Sequence, residues 1–180
     1  MMLHRTALGR VLAAALAWGA SVVVSAQFTD SAFELDHPAV QYPTRATTDV
    51  VSTLNASLRS GQTTLGFENQ TGYLHPLLDR LHVPVDSQIA VFSQTSLQKN
   101  LIRPSNPRTI FFNDSVAVAW MRGGFIEVAA QDPQQGAVFY ILQQTWAPVP
   151  QLTREDRCLG CHYAAITLGG YEWARVSFER

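Results

Sequence analysis

Cys158, Cys161 and His162 form a Cys-Leu-Gly-Cys-His segment, and their types and spacing predict covalent attachment of haem. The chain has 180 residues and these are its only two cysteines. In a C-x-x-C-H segment the two thiols add to the vinyl groups of haem, and the adjacent histidine ligates the iron. One helical turn presents both sulfurs along one edge of the macrocycle. The segment therefore predicts one covalent haem c, with His162 as the proximal iron ligand.

Three other roles for the cysteine pair compete with haem attachment. A thiol–disulfide motif is expected within a thioredoxin-like βαβ unit, and no strand–helix pattern follows Cys161. A structural zinc site requires four ligands, usually from two such pairs, and the second pair is missing. A disulfide between Cys158 and Cys161 would close a loop too short to stabilise the fold much. We therefore favour haem attachment.

The sequence offers several candidates for the sixth iron ligand. The candidates are His82, His75 and Met121, with His37 as a fourth. Each of the first three is also explained by ordinary packing or hydrogen bonding, since the two histidines lie on or beside a predicted apolar helix and the methionine ends a predicted strand. Methionine would raise the reduction potential and a second histidine would lower it. An open sixth position would instead permit peroxide or small-gas chemistry.

The N-terminus predicts a cleaved signal peptide over residues 1–26. His4, Arg5 and Arg10 form a basic start, residues 11–24 are apolar or small, and Val-Ser-Ala precedes Gln27. The apolar run is shorter than the roughly 20 residues of a spanning helix, so no stable membrane insertion is expected after cleavage. Because c-type haem is attached outside the bacterial cytoplasmic membrane, both ends of the chain predict a periplasmic or secreted protein.

Composition limits the partners. The formal net charge is −1, so the chain has no basic footprint for nucleic acid. Without the signal, its length fits one ordinary domain with a core. The expected partners are other redox proteins, bound through small transient contacts.

The pattern of residues predicts an α+β fold, an antiparallel β meander with short helices. Residues 27–46 are expected to form an irregular leader on the surface, and 47–150 the α+β domain. Thr47 or Thr48 caps the first predicted helix, which ends at Gly61. A second helix is predicted over 73–82. Strands are predicted at 88–93, 109–112, 116–121, 125–130 and 137–142.

Residues 151–180 are predicted to be the haem-attachment segment at the C-terminal end. Within it, Thr153 is expected to cap a short helix that opens with Glu155 and Asp156. On the first predicted helix, Val50, Leu54 and Leu58 fall on one face, which is expected to pack against the sheet.

About half of the chain resembles part of larger secreted bacterial proteins described only as cytochrome c domain-containing. The resemblance is carried by Val-Phe-Ser at 91–93, Pro-Arg at 107–108, Phe-Asn-Asp at 112–114 and Asp-Pro at 132–133, together with the C-x-x-C-H segment. In such proteins the chain continues well past this point, so the resemblance implies that Arg180 ends part of a larger cytochrome protein. Only Cys158, Cys161 and His162 carry over as functional residues.

These patterns predict a periplasmic c-type haem protein that carries single electrons and is more an electron carrier than a catalyst. One alternative is a haem peroxidase-like oxidoreductase with an open sixth site, for which His75 or His82 would supply the acid or base. A second alternative is a non-catalytic binding module, in which the β domain recognises a ligand and the haem segment is vestigial. A third is a fragment or module of a larger multi-domain cytochrome protein.

Overall fold

The computed structural model describes residues 41–162, which form a six-stranded antiparallel sheet with short helices. The helices are α1 (Val50–Arg59), α2 (Leu74–Arg80) and α3 (Leu159–His162), with single 3₁₀ turns at Val85–Ser87 and Lys99–Leu101. The strands are β1 (Ile89–Val91), β2 (Arg108–Phe112), β3 (Val116–Trp120), β4 (Ile126–Asp132), β5 (Gly136–Leu142) and β6 (Thr153–Arg154). Their order in the sheet is their order in the chain, so the predicted α+β meander is confirmed.

The sheet has two chemically different faces, because successive side chains of a strand point to opposite sides. Val116, Val118, Val128 and Val138 lie on the face that we call the core face, and each is at most 2% exposed. The buried leucines of α1 and α2 join them in one cluster, so both helices cover this face. The residues that alternate with these valines along the strands, such as Phe139, point to the other face of the sheet, which we call the outer face.

Helix α1 begins one residue later than its sequence predicts. The Asp49 carboxylate accepts the backbone N–H groups of Val51 (2.8 Å) and Ser52 (2.9 Å), and this satisfies donors that the first turn leaves unpaired. The prediction of Thr47 or Thr48 as the cap was wrong. Both threonines are used elsewhere, since Thr47 contacts the Tyr140 hydroxyl and the Thr48 N–H donates to Asp132.

The apolar face of α1 differs from the predicted one at its start. Val50 is 38% exposed, and Val51 is buried in its stead, whereas Leu54 and Leu58 are buried as predicted. Asn55 shares the buried face and exchanges two hydrogen bonds with the backbone of Leu152, at 2.8 and 3.0 Å. This pair ties the helix to the chain just before β6.

The end of α1 follows the prediction. The helix ends at Arg59, and Gly61 adopts a φ of 71°, a left-handed conformation that favours glycine. Helix α2 is shorter than predicted at its C-terminal end, because Leu81 caps it and His82 leaves the helix with a φ of 54°.

Of two expectations about the flanking segments, the surface leader has an exception at Tyr42, since four of its six residues between 41 and 46 are exposed, and the helix cap at Thr153 was wrong. Tyr42 belongs to the leader that was expected on the surface, yet it is 3% exposed and its hydroxyl accepts the N–H of Phe139 at 2.9 Å. Thr153 does not cap a helix, because Thr153–Arg154 pairs with β5 as a sixth strand. Both segments add to the β5 side of the sheet, and the helix of the haem segment begins only at Leu159.

The part of the chain between residues 41 and 162 contains no helix long and apolar enough to cross a membrane. The predicted signal peptide, 1–26, and His37 lie outside the described residues, as does the part of the haem segment that follows His162.

Asp132 makes the fold sensitive to acid. Burial alone would raise the pKa of this carboxyl group, but the backbone N–H groups of Thr48, Gln134 and Gln135 donate to it and together lower its pKa. A lowered pKa stabilises the folded state above the unfolded pKa of about 3.9, and this stabilisation is lost as the pH falls through the folded pKa.

We therefore expect the Asp132→Asn variant to lose less stability than the wild type when the pH is lowered from about 5 to 2. Urea unfolding at a series of pH values measures the difference. Asp114→Asn is the matched control, because Asp114 is an exposed aspartate of a neighbouring turn. Equal slopes of stability against pH for the wild type and Asp132→Asn would contradict the prediction.

Candidate functional site

The segment from Cys158 to His162 folds as one helical turn. The N–H groups of Cys161 and His162 both donate to the Cys158 carbonyl, at 3.2 and 3.1 Å. Both cysteines are free thiols; Cys158 is half-buried and Cys161 is exposed. The predicted disulfide alternative is thus not formed in this structure, and both sulfurs keep the form that adds to haem vinyl groups.

Glu155 anchors this turn to the sheet. Its N–H donates to the carbonyl of Phe139 at 2.9 Å, and its side chain is almost fully buried. The Arg157 guanidinium and backbone N–H both donate to its carboxylate, and they hold the pKa of Glu155 below its usual range. These bonds fix the chain immediately before Cys158.

His162 lies on the outer face of the sheet. Its ring centroid is 4.7 Å from that of Phe139, with the ring planes tilted by 35°. Partial burial of the imidazole lowers its pKa, and the nearby Arg108 lowers it further, while Glu127 acts in the opposite direction. A lowered pKa favours the neutral imidazole, which is the form that can ligate a metal.

Arg108 and Glu127 form an ion pair on the same face, with Nε 3.0 Å from Oε2. The Ser96 hydroxyl donates to the other carboxylate oxygen at 2.7 Å. Sequence reasoning missed this pair. The available signal was Glu127 itself, a carboxylate in the middle of an apolar strand, which requires a partner when it is buried.

The two thiols differ in burial. Burial raises the pKa of Cys158 to about 11, and the negative charges of Glu127 and Glu155 contribute to the shift. The thiolate is the nucleophile, so Cys158 would be only on the order of 0.1% ionised at pH 8. Cys161 is exposed.

We expect iodoacetamide at pH 8 to alkylate Cys161 of the haem-free protein at least about tenfold faster than Cys158. Peptide mass spectrometry at timed intervals measures both rates in one sample. Each cysteine is the control for the other after denaturation, when the two rates should converge. Equal rates in the folded protein would contradict the burial of the Cys158 thiol.

The candidate distal ligands occupy different sides of the sheet. His75 and His82 lie in and just after α2, which covers the core face, so the sheet separates them from His162. His75 pairs with Glu68 (2.8 Å), and His82 is exposed. Met121 directly follows β3, and the alternation of that strand assigns it to the outer face with Ala119.

Met121 is therefore the one of these three that shares a face with His162. Its side chain is completely buried and lies beside Gly124. Within residues 41–162, no three histidine, cysteine, aspartate or glutamate side chains lie close enough together to hold a metal ion.

Comparison of the chain with protein families, with curated proteins and with solved structures finds no match. The likeness to secreted bacterial cytochrome proteins accordingly stays an expectation from the sequence. The described residues place two free thiols and one imidazole on a single helical turn. This turn contacts the outer face of the sheet through His162 and Phe139. These groups fit the requirements of covalent haem attachment.

Proposed function

We propose that this protein is a c-type haem protein that transfers single electrons through one covalently attached haem. The observation that carries the proposal is the helical turn of Cys158, Cys161 and His162, with both thiols free. Thioether bonds require two thiols spaced by one turn and an adjacent imidazole. When bound, the haem would supply an iron that cycles between the ferric and ferrous states.

Each residue of the segment has a separate role. Cys158 and Cys161 bind the haem covalently and prevent its dissociation. His162 provides the proximal nitrogen, and its contact with Phe139 orients the imidazole ring. Glu155 holds the start of the turn through its bonds to Phe139 and Arg157. Partners of this protein are then other redox proteins, bound through small contacts.

The location that fits this function is the periplasm or the outside of the cell. The basic start, the apolar run and the small residues before Gln27 support removal of residues 1–26 during export. Haem attachment outside the cytoplasmic membrane requires that export. The likeness of residues 72–162 to part of larger cytochrome proteins supports a role as one module of such a protein.

A second candidate is an oxidoreductase with an open sixth iron position. Because α2 lies on the opposite side of the sheet from His162, neither His75 nor His82 is placed to ligate the iron, which favours an open sixth position. The same separation also removes the acid or base that the sequence offered for a peroxidase. The Met121→Leu variant separates the two candidates, since this swap conserves volume and removes the sulfur. A change from a low-spin to a high-spin spectrum identifies Met121 as the sixth ligand and supports the electron carrier. A high-spin spectrum already present in the wild type supports the open site.

The experiment that tests the proposal is expression of the full chain together with the bacterial haem-attachment machinery. We expect denatured protein to keep its haem on a gel, and its intact mass to exceed that of the processed chain by one haem. Expression without that machinery is the control and should yield haem-free protein. Haem that is absent from the denatured protein under both conditions would overturn the proposal.

A further inference from the structure

The structure has a cleft of about 420 Å³. Residues 67–72 line one part of it, which we call the first wall, and residues 123–125 line another part, which we call the second wall. The rest of the lining comes from Gln98, Trp120 and residues 143–145. None of residues 158–162 lines it. Its volume is within the range of small-molecule sites, about 300–1,000 Å³.

The first wall is held in one conformation by Gln144. The loop closes through two backbone bonds between Glu68 and Gly72, at 2.8 and 2.9 Å. The Gln144 amide accepts the N–H of Tyr73 and donates to the carbonyl of Thr71. Gly72 has a φ of 61°, and a Cβ at this position would overlap the Gln144 amide. The loop therefore requires glycine there for two independent reasons.

The second wall is built in the same way around Gln98. Its amide accepts the N–H of Phe125 at 2.8 Å and donates to the carbonyl of the same residue at 3.0 Å. Gln98 is buried, and a Cβ at Gly124 would overlap its amide oxygen. Two buried or half-buried glutamines thus fix both walls, so the cleft is preformed, and little conformational entropy is lost when a ligand binds.

The lining combines aromatic rings with amide groups. The lining includes three aromatic residues, Trp120, Phe125 and Phe67, and the Phe67 ring makes an edge-on contact with Tyr73, with centroids 4.8 Å apart. The side chains of Asn69, Gln70 and Gln143 line the cleft without hydrogen bonds to other residues between 41 and 162. Each amide offers both donors and acceptors to a ligand.

The charge of the described lining disfavours anions. Glu68 is the only formally charged residue among the described residues that line the cleft. It accepts hydrogen bonds from the Thr71 hydroxyl and from His75, and these lower its pKa, so the carboxylate is ionised at neutral pH. A phosphate or carboxylate ligand would meet this charge with no cation among the described lining residues to balance it.

We propose that this cleft binds a neutral saccharide of one or two sugar units. Aromatic rings pack against the apolar face of a sugar ring, and amide groups exchange hydrogen bonds with its hydroxyls. This site is independent of the haem function, because it shares no residue with the 158–162 turn. It gives the β domain a ligand of its own beside any redox role.

Calorimetric titration of the full processed chain with maltose, cellobiose and N,N′-diacetylchitobiose tests the proposal. At least one of the three should bind, and amide exchange should slow in peptides that cover residues 67–72 and 123–125. Phe67→Ala should weaken binding about tenfold, the loss expected for one aromatic contact. Phe92→Ala is the matched control, since Phe92 is an exposed phenylalanine outside the cleft.

Asn69→Ala is a second variant at an exposed position that makes no internal side-chain hydrogen bond, so it should fold normally and also weaken binding. The proposal is overturned if none of the three disaccharides binds. It is also overturned if Phe67→Ala and Phe92→Ala bind equally well, or if choline binds while the disaccharides do not. None of these results depends on whether haem is attached.

Discussion

Protein in which both Cys158 and Cys161 are replaced by serine is expected to carry no covalent haem. The chain has no other cysteine, so no thioether can form in the double variant. Each single variant keeps one thiol and can form at most one thioether. Mass spectrometry and haem staining of denatured protein, expressed with the haem-attachment machinery, measure the loss. Asp156→Asn is the matched control, because Asp156 is an exposed neighbour of the segment that has no thiol.

The histidines provide a second comparison within the same experiment. His162→Ala keeps both thiols but removes the proximal nitrogen, so the optical spectrum should change and less haem should be retained during maturation. His75→Ala and His82→Ala each remove an imidazole in or just after α2, on the other side of the sheet from His162, and both should keep the wild-type spectrum. Covalent haem in the double-cysteine variant would refute thioether attachment. A spectrum unchanged in His162→Ala would refute its role as the ligand.

The strands could be predicted from the sequence because local signals specify them. Strands β3 and β4 are short runs rich in apolar residues, and turn residues such as Asn113 separate the strands. The Asn113 side chain caps the β2–β3 turn by accepting the N–H groups of Ser115 and Val116. Tight connections of this kind allow only antiparallel neighbours, so the meander follows from the turns.

The errors arose where distant residues decide the local structure. Asp49 caps α1 instead of a threonine partly because its second oxygen is fixed by Tyr140, 91 positions away. Tyr42 is buried because its hydroxyl meets the backbone of Phe139, 97 positions away. No window of sequence contains both members of either pair. The periodic pattern of apolar residues therefore predicts the helices and strands, but it does not predict these long-range contacts.

The residues of the candidate site and their helical turn could be predicted from the sequence, but their surroundings could not. The C-x-x-C-H spacing identified Cys158, Cys161 and His162, and these residues do form one helical turn. The candidate histidines of α2 were equally visible in the sequence. Which face of the sheet a helix covers depends on the path of the whole chain, so their separation from His162 required the structure. The partner of Glu127 required the sheet register for the same reason.

The Asp49→Ala variant is expected to show the largest loss of stability among the polar substitutions of the fold. Asp49 is 2% exposed, and its two carboxylate oxygens bind two different elements, α1 and β5. One oxygen caps α1 through Val51 and Ser52, and the other accepts the Tyr140 hydroxyl at 2.6 Å. Burial raises the pKa of Tyr140, and the Asp49 carboxylate raises it further, so the hydroxyl stays protonated as a donor.

Alanine removes the helix cap and leaves the buried Tyr140 hydroxyl with Thr47 as its remaining partner. Loss of a cap costs about 1 kcal/mol, and loss of a charged partner for a buried hydroxyl costs about 1–3 kcal/mol. We therefore expect the free energy of unfolding to fall by about 2–4 kcal/mol, measured by urea denaturation. Asp114→Ala, at an exposed turn, should change it by less than about 0.5 kcal/mol.

Two further variants divide this effect between the two oxygens of Asp49. Tyr140→Phe removes the hydroxyl and keeps the cap, whereas Asp49→Asn keeps a cap acceptor and removes the negative charge from the bond to Tyr140. Each should cost less than Asp49→Ala. The double variant Asp49→Ala with Tyr140→Phe should be less destabilised than the sum of its single changes, because the two side chains share one hydrogen bond. Additive losses would mean that the cap alone makes Asp49 important, and that α1 is not tied to β5 through this bond.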